Sequence, residues 1–350
     1  MATASIHDVR VAGISACVPR RIESNHDYPF LSPEERLKVI QTTGIERRRM
    51  ASSDQCTSDL CLGAANALLE DLKWNRDEID VLVLVTQTAD YTVPATAPIL
   101  QDRLGLAKTC LTFDVNLGCS GYTYGLQVVS SLLSAGNLRK GLLLVGETPL
   151  KTVSSQDRTV ATLFGDAGAA TALEVAPGHV MHFDAGSDGR GYEAIIIPDG
   201  GQRNPVGVTS LDMVEVEEGI IRNRCQLALD GVEVFNFSIR EVPRTVRSLM
   251  SFAKKEIDEI DAFVFHQANL FMNDLIRKKL KIPPEKVPNS LRDYGNTSSA
   301  SIPLTIVTEL RSRMMEERMC LILCGFGVGL SWSTTYVETD RISCPPLLEV

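Results

Sequence analysis

The sequence predicts an α/β protein built of two similar halves, and three observations carry that prediction. Fully apolar runs such as Val81 to Val85 and Ala262 to Phe265 have the length of buried strands and are separated by segments with helical spacing. One structural phrase then occurs twice. Glu78-Ile79-Asp80 leads into Val81 to Thr86 and ends on Gln87, while Glu259-Ile260-Asp261 leads into Ala262 to Phe265 and ends on His266-Gln267. A glycine-flanked apolar strand follows each: Gly141 to Glu147 with Gly165 to Gly168 behind it, and Met319 to Gly329 with Leu330 to Val337 behind it. Strands with no polar face, joined by helices, point to a buried and largely parallel arrangement. The simplest account is a duplicated αβα unit with halves at 1–176 and 177–350 and a polar, Gly-rich crossover at about 177–218. Within that crossover Ile195-Ile196-Ile197-Pro198 reads as a hairpin arm lying over a site or an interface.

The helices follow in chain order. Thr57 to Leu72 has apolar positions at helical spacing before the first strand. Ser120 to Ser134 follows a Gly-Cys-Ser turn and lines up Tyr124, Val128 and Leu132 on one face. Asn269 to Leu280 and Pro303 to Met315 repeat the pattern in the second half.

Composition narrows the function. With 350 residues, 35 Lys+Arg against 44 Asp+Glu and a net charge of -9, the chain lacks the basic footprint of a nucleic-acid binder. Its longest apolar runs fall far short of the ~20 residues that cross a bilayer. The first residues, Met1 to Val11, have no basic start followed by an apolar stretch, so a cytoplasmic location is expected. Nine scattered cysteines in a chain this size suggest free thiols, one of them a candidate nucleophile.

That candidate is Cys119, in Asn116-Leu117-Gly118-Cys119-Ser120-Gly121. A thiol at a helix start faces the positive end of the helix dipole, which favours thiolate; taken alone, a buried structural cysteine accounts for it as well. His266 closes an apolar strand, at the edge where open α/β sheets bind ligands. The other histidines, His7, His26, His179 and His182, need no function, and the His179/His182 pair has no third ligand nearby, so no metal site is expected. Asn296 lies in Tyr294-Gly295-Asn296-Thr297-Ser298, which alone reads as a turn and cap. Together, a helix-start Cys, a strand-end His and a loop Asn make a thiol nucleophile with two hydrogen-bond donors for an oxyanion.

At this point the chain resembles the β-ketoacyl-acyl-carrier-protein synthase III family of the thiolase superfamily. The resemblance runs through Thr43-Gly44-Ile45-Glu46-Arg47-Arg48, Pro94-Ala95-Thr96, the Cys119 turn, Asp157-Arg158, Leu163 to Ala170, Asp230-Gly231 with Val234-Phe235, His266-Gln267-Ala268-Asn269, Tyr294 to Ser298 and Gly325 to Gly329. It implies a five-layered thiolase-like fold, a homodimer, and no cofactor beyond substrates carried as thioesters of acyl carrier protein or coenzyme A. It also implies that Cys119 takes an acyl group and that His266 and Asn296 hold a malonyl thioester. Loss of CO2 would then give a carbanion that attacks acyl-Cys119, extending a fatty acid or a specialised lipid or polyketide. The backbone N–H groups of Cys119 and Val328 resemble the oxyanion hole, and Phe326 resembles the aromatic that shields the thiol.

Departures bear on the acyl donor. Val328 stands where glycine is common. Lys38 and Thr42 stand where relatives place the aromatic and arginine that sandwich adenine, and Phe271 replaces an arginine after His-Gln-Ala-Asn. The basic cluster Arg277, Lys278 and Lys279 is expected to meet an acidic carrier protein, although a solvated helix end explains it too. Three rival readings remain: acyl transfer from Cys119 to a hydroxyl or amine, hydroxymethylglutaryl-CoA synthase chemistry, for which Ala89-Asp90-Tyr91 offers no glutamate and Glu147 is misplaced, and a non-catalytic subunit, which would be expected to lose the triad.

Overall fold

The computed structural model describes residues 2–350. The main-sheet strands are β1 (Ala2–Val18), β2 (Val81–Val85), β3 (Leu111–Val115), β4 (Lys140–Glu147), β5 (Ala167–Ser187), β6 (Ala262–Phe265), β7 (Met319–Gly327), β8 (Ser331–Thr339) and β9 (Leu348–Glu349). They form one nine-stranded sheet in the order β6-β7-β8-β5-β4-β2-β3, with β1 along β5 and β9 on β1. Residues 167–174 of β5 pair with β4, and residues 181–187 pair with β8. The long strands β1 and β5 thus join two strand groups into one hydrogen-bonded system.

The groups echo each other. Strand β2 is parallel to β4, which is antiparallel to β5; β6 is parallel to β7, which is antiparallel to β8. The sheet is therefore mixed, where the sequence suggested largely parallel strands. An apolar run records that both faces are covered, and this holds for either direction of pairing. In β2, Val81, Val83 and Val85 pack with Tyr122, Leu126 and Val129 of α1 (Gly121–Ser134), whereas Leu82 and Leu84 pack against Leu60, Ala64 and Leu68 of the helix Thr57–Leu72. The same alternation splits β6. Val264 joins the α1 core together with Ile302 and Leu304, while Phe263 and Phe265 face α2 (Gly231–Ala253) and α3 (Leu270–Leu280). With the two strand groups of this one sheet as separate layers, helices, strands, helices, strands and helices give five layers.

Three local expectations change. The segment 177–187 is sheet, since β5 continues to Ser187. Ile195–Ile196 pairs with Ala228–Leu229 across a long excursion, and the local hairpin is instead Val214–Glu217 with Ile220–Arg222. The helix foreseen over Pro303 to Met315 is broken into Ser301–Thr305, a π turn Ile306–Leu310 and Arg311–Glu316. No described helix is long and apolar enough to cross a membrane.

Candidate active site

Cys119 sits just ahead of α1, on the turn where the chain leaves β3. Strand β7 can approach that turn only because it carries glycines. A Cβ on Gly325 would lie 2.9 Å from the Cys119 carbonyl oxygen, and one on Gly327, whose φ is +152°, would lie 2.9 Å from Sγ. The sulfur is 3.8 Å from Ser298 Oγ, and Ser298 itself holds a left-handed φ of 49°. The backbone N–H groups of Val328 and Cys119 also reach the sulfur and favour its anion. Burial nevertheless pushes the thiol up. Loss of water thus works against the thiolate expected at a helix start, the helix itself beginning only at Gly121.

His266 follows β6 and is buried, its N–H donating to Cys324 O (2.8 Å). Ring Nδ1 is 2.8 Å from Ser301 Oγ, which also receives the Gln267 N–H at 3.4 Å. The hydroxyl that accepts from Gln267 is free to donate its own proton to Nδ1, which places the ring proton on Nε2. The ring stands edge-on to Phe326, with centroids 5.5 Å apart. Burial lowers the imidazole to about 3, against a smaller upward pull from the Ser298 backbone, so the ring is neutral at neutral pH.

Asn296 is fixed by a tight approach of two loops. A Cβ on Gly165 would fall 2.1 Å from Tyr294 O, and Gly295 needs its φ of +65°. This lets Asn296 N donate to Leu163 O (2.9 Å) and Gly165 N donate to Asn296 O (3.0 Å). Its side-chain Oδ1 accepts from Ser298 N (2.9 Å), which leaves Nδ2 as the donor for the cavity.

Cys119, His266, Asn296, Phe326 and Val328 line one cavity of about 320 Å³. Its walls include Ile195, Ile196, Ile197, Leu227 and Leu229 on one side and Gln87, Thr88, Asn116 and Glu147 on another. The isoleucine arm thus covers this cavity. The rest of the His-Gln-Ala-Asn string is scaffolding: Gln267 Nε2 donates to Phe265 O, and Asn269 Oδ1 caps α3 by accepting from Met272 N.

Such a pocket, with a thiol facing two neutral donors and a pair of backbone N–H groups, suits acyl transfer followed by stabilisation of an enolate. Comparison with known proteins agrees. Residues 113–189 match the 3-oxoacyl-[acyl-carrier-protein] synthase III family model, and residues 250–339 match its C-terminal counterpart. The chain is 33% identical to the β-ketoacyl-[acyl-carrier-protein] synthase III of Rhodopirellula baltica, covering 94% of this chain and 98% of the relative. The chain belongs to the β-ketoacyl-acyl-carrier-protein synthase III family. A crystal structure of 3-oxoacyl-(acyl-carrier protein) synthase from Burkholderia xenovorans LB400 superposes with a TM-score of 0.94 at 39% identity, covering 100% of this chain and 99% of that one. The synthase III of Pseudomonas aeruginosa PAO1 gives 0.81 at 29% identity, covering 96% and 99%. Like other β-ketoacyl synthases III, this protein is an acyl-transferring condensing enzyme.

The remaining sequence candidates lie outside the cavity. Arg277 is half spent: its guanidinium donates to Asp274 (2.6 Å) and to Ile282 O (3.0 Å), bracing the end of α3. Lys278 pairs with Asp274 at 2.6 Å, and Lys279 reaches Ile239 O at 3.0 Å, both lysines being exposed. Lys38 is exposed and pairs with Glu34 (3.0 Å); Phe271 stacks on Phe235, with centroids 5.8 Å apart. Sequence reasoning missed Ser301, Ser298 and Gln87. Their parts arise only from folding, and only the left-handed turn at Ser298 leaves a trace in the Gly-Asn-Thr-Ser run.

Proposed function

We propose that this enzyme carries out a decarboxylative Claisen condensation through Cys119, His266 and Asn296, with acyl and malonyl groups delivered on acyl carrier protein. The observation that carries this reading is the pairing in one cavity of a thiol with two neutral donors, His266 Nε2 and Asn296 Nδ2. In the first step Cys119 Sγ attacks the acyl thioester carbonyl, the N–H groups of Cys119 and Val328 hold the oxyanion, and the thiol proton leaves with the departing carrier thiol. In the second, His266 and Asn296 donate to the malonyl thioester oxygen, the bond to CO2 breaks and its electron pair forms the enolate. The enolate carbon then attacks acyl-Cys119, and the thiolate leaves and regains a proton. Neutral donors suit this step because they stabilise the enolate without protonating it, and departure of CO2 removes the need for a strong base. Phe326 shields the thiol from water. Retention of both donors favours condensation over simple transfer to a hydroxyl or amine, which needs only a base and an oxyanion hole.

The carrier is proposed to meet Lys278 and Lys279, with Arg277 bracing the helix beneath them. Adenine stacking needs a flat π-face and a planar guanidinium, and Lys38 with Thr42 supplies neither. For one matched acyl group, the carrier-bound donor is expected to acylate Cys119 faster than the coenzyme A donor, as read by the mass of the Cys119 peptide. The preference shrinks as salt rises, because exposed charges are screened. Equal or faster reaction from coenzyme A removes the preference and leaves the site assignment standing.

The proposal extends to a homodimer in the cytoplasm and to a division at 176/177 into two thiolase-like halves. Among the described residues strand β3 ends the sheet, pairs only with β2 and is partly exposed from Leu111 to Val115, an open edge of the kind a second copy covers. Light scattering that finds only single-chain particles at micromolar concentration would remove the dimer.

A further inference from the structure

Glu147 is a buried carboxyl in the wall of the cavity, and condensation as described above gives it no part. Its place follows from the sheet. Strands β2 and β4 run in parallel register up to Val85 opposite Val145, after which the chain beyond β2 turns out of the sheet. Where the ladder stops, the Glu147 side chain takes over as acceptor: Oε1 receives the Gln87 N–H at 2.9 Å, and Oε2 receives the hydroxyls of Thr88 at 2.8 Å and Thr86 at 3.4 Å. Thr88 Oγ1 is bonded in turn to Thr57 Oγ1 at 2.7 Å and accepts from Thr148 N at 3.0 Å, so the turn 86–88 is pinned both from the end of β4 and from the helix Thr57–Leu72. Gln87, held in this way, lies against the nucleophile's turn. A Cβ on Gly118 would come within 2.4 Å of Gln87 Oε1.

We propose that Glu147 is a positioning residue for the acylation step, acting through Gln87 on the Gly118-Cys119 turn, and that its charge state sets how the Cys119 thiol responds to pH. This rests on Cys119 as the acylated thiol. Burial raises the Glu147 carboxyl to about 8, the hydrogen bonds from Thr88, Gln87 and Thr86 pulling the other way. It therefore holds a proton at neutral pH, Thr88 Oγ1 then accepting from Oε2 and turning its own proton to Thr57, and loses it as pH rises through that value. Glu147 and Cys119 line the same cavity, so the resulting anion raises the thiol further. Cys61, on the helix packed behind β4, lies in the same field together with Asp90, and Asp90 and Lys151 stand beside the turn 86–88; burial keeps the Cys61 thiol protonated.

The test follows alkylation of Cys119 by iodoacetamide from pH 6.5 to 10, and its acylation by an acyl-carrier thioester at pH 7, in the full-length protein and in Glu147→Gln and Glu147→Ala. Removing the ionising carboxyl moves the Cys119 titration to lower pH, so Glu147→Gln alkylates about three- to tenfold faster at pH 9. Glu147→Ala, which unpins the turn, acylates about ten- to a hundredfold more slowly, the loss falling on the rate at saturation and not on the donor concentration needed. Glu147→Gln keeps an acceptor for Gln87 and so retains more of that rate. An alkylation profile for Glu147→Gln that overlays the parent's overturns the proposal, and so does unchanged acylation in Glu147→Ala. If the alanine variant does not fold, the glutamine profile still decides. Label on a different cysteine in the parent protein overturns the reading of Cys119 instead, whereas labelled Cys119 with indistinguishable variants overturns Glu147 alone.

Discussion

Cys119→Ala is expected to abolish formation of the 3-oxoacyl product while leaving malonyl decarboxylation measurable. Deleting a nucleophile costs on the order of 10⁴-fold or more, because no other group can form the covalent intermediate. The other cysteines give no substitute. Cys17 and Cys324 are buried and raised to about 12, and neither lines the cavity. Decarboxylation is expected to survive because the proposed donors for the malonyl oxygen belong to other elements: His266 is set by β6 and Ser301, and Asn296 by its own loop. Alanine also fits the space, since the Cys119 side chain is closely backed by Gly327. The check is to assay the variant for CO2 release and for product side by side.

His266→Ala and Asn296→Ala are expected to divide the two steps the other way. Each removes one preorganised donor, and losing one such donor costs about 10²–10³-fold in the step it serves. Condensation takes that loss, while acylation of Cys119, which relies on backbone N–H groups, is largely spared. Asn296→Ala is the cleaner variant, because His266 also packs against Phe326 and its removal loosens the shield over the thiol. Acylation is followed by the mass of the Cys119 peptide and condensation by product under saturating malonyl donor. Should Asn296→Ala condense at the parent rate, the site is that of a simple acyltransferase.

Much of this site was legible in the sequence because each of its three side chains sits at a punctuation mark. Cys119 stands between glycines at a helix start, His266 at the end of an apolar strand, and Asn296 beside a glycine that needs positive φ. What surrounds them was not legible. Ser301 is an ordinary residue near a proline until folding brings it to His266. The burial that pushes the Cys119 thiol up was not legible, because helix position can be read from sequence whereas loss of water depends on what packs above. In the fold, strands apolar on both faces were evident. The second part of β5 was hidden by polar residues, above all Asp184, which reads as a loop residue. It is buried instead, accepting from Thr245 Oγ1 and Ser248 Oγ at 2.7 Å each from α2, so its polar group is satisfied inside the core. Nothing local in the sequence announces that pairing across 61 and 64 residues.

The central claim, that one cavity first captures an acyl group on Cys119 and then extends it with a decarboxylated malonyl unit, is tested most directly by a pulse and chase. The protein is acylated with an isotope-labelled acyl-carrier thioester, freed of excess donor, and mixed with malonyl-acyl carrier protein, while the Cys119 peptide and all released acyl species are followed by mass. The expected result is loss of the label from Cys119 matched by its appearance in a 3-oxoacyl-carrier product, with one CO2 released for each. Label that stays on Cys119 in the presence of malonyl donor, or that leaves only for a hydroxyl or amine acceptor without CO2, would contradict it.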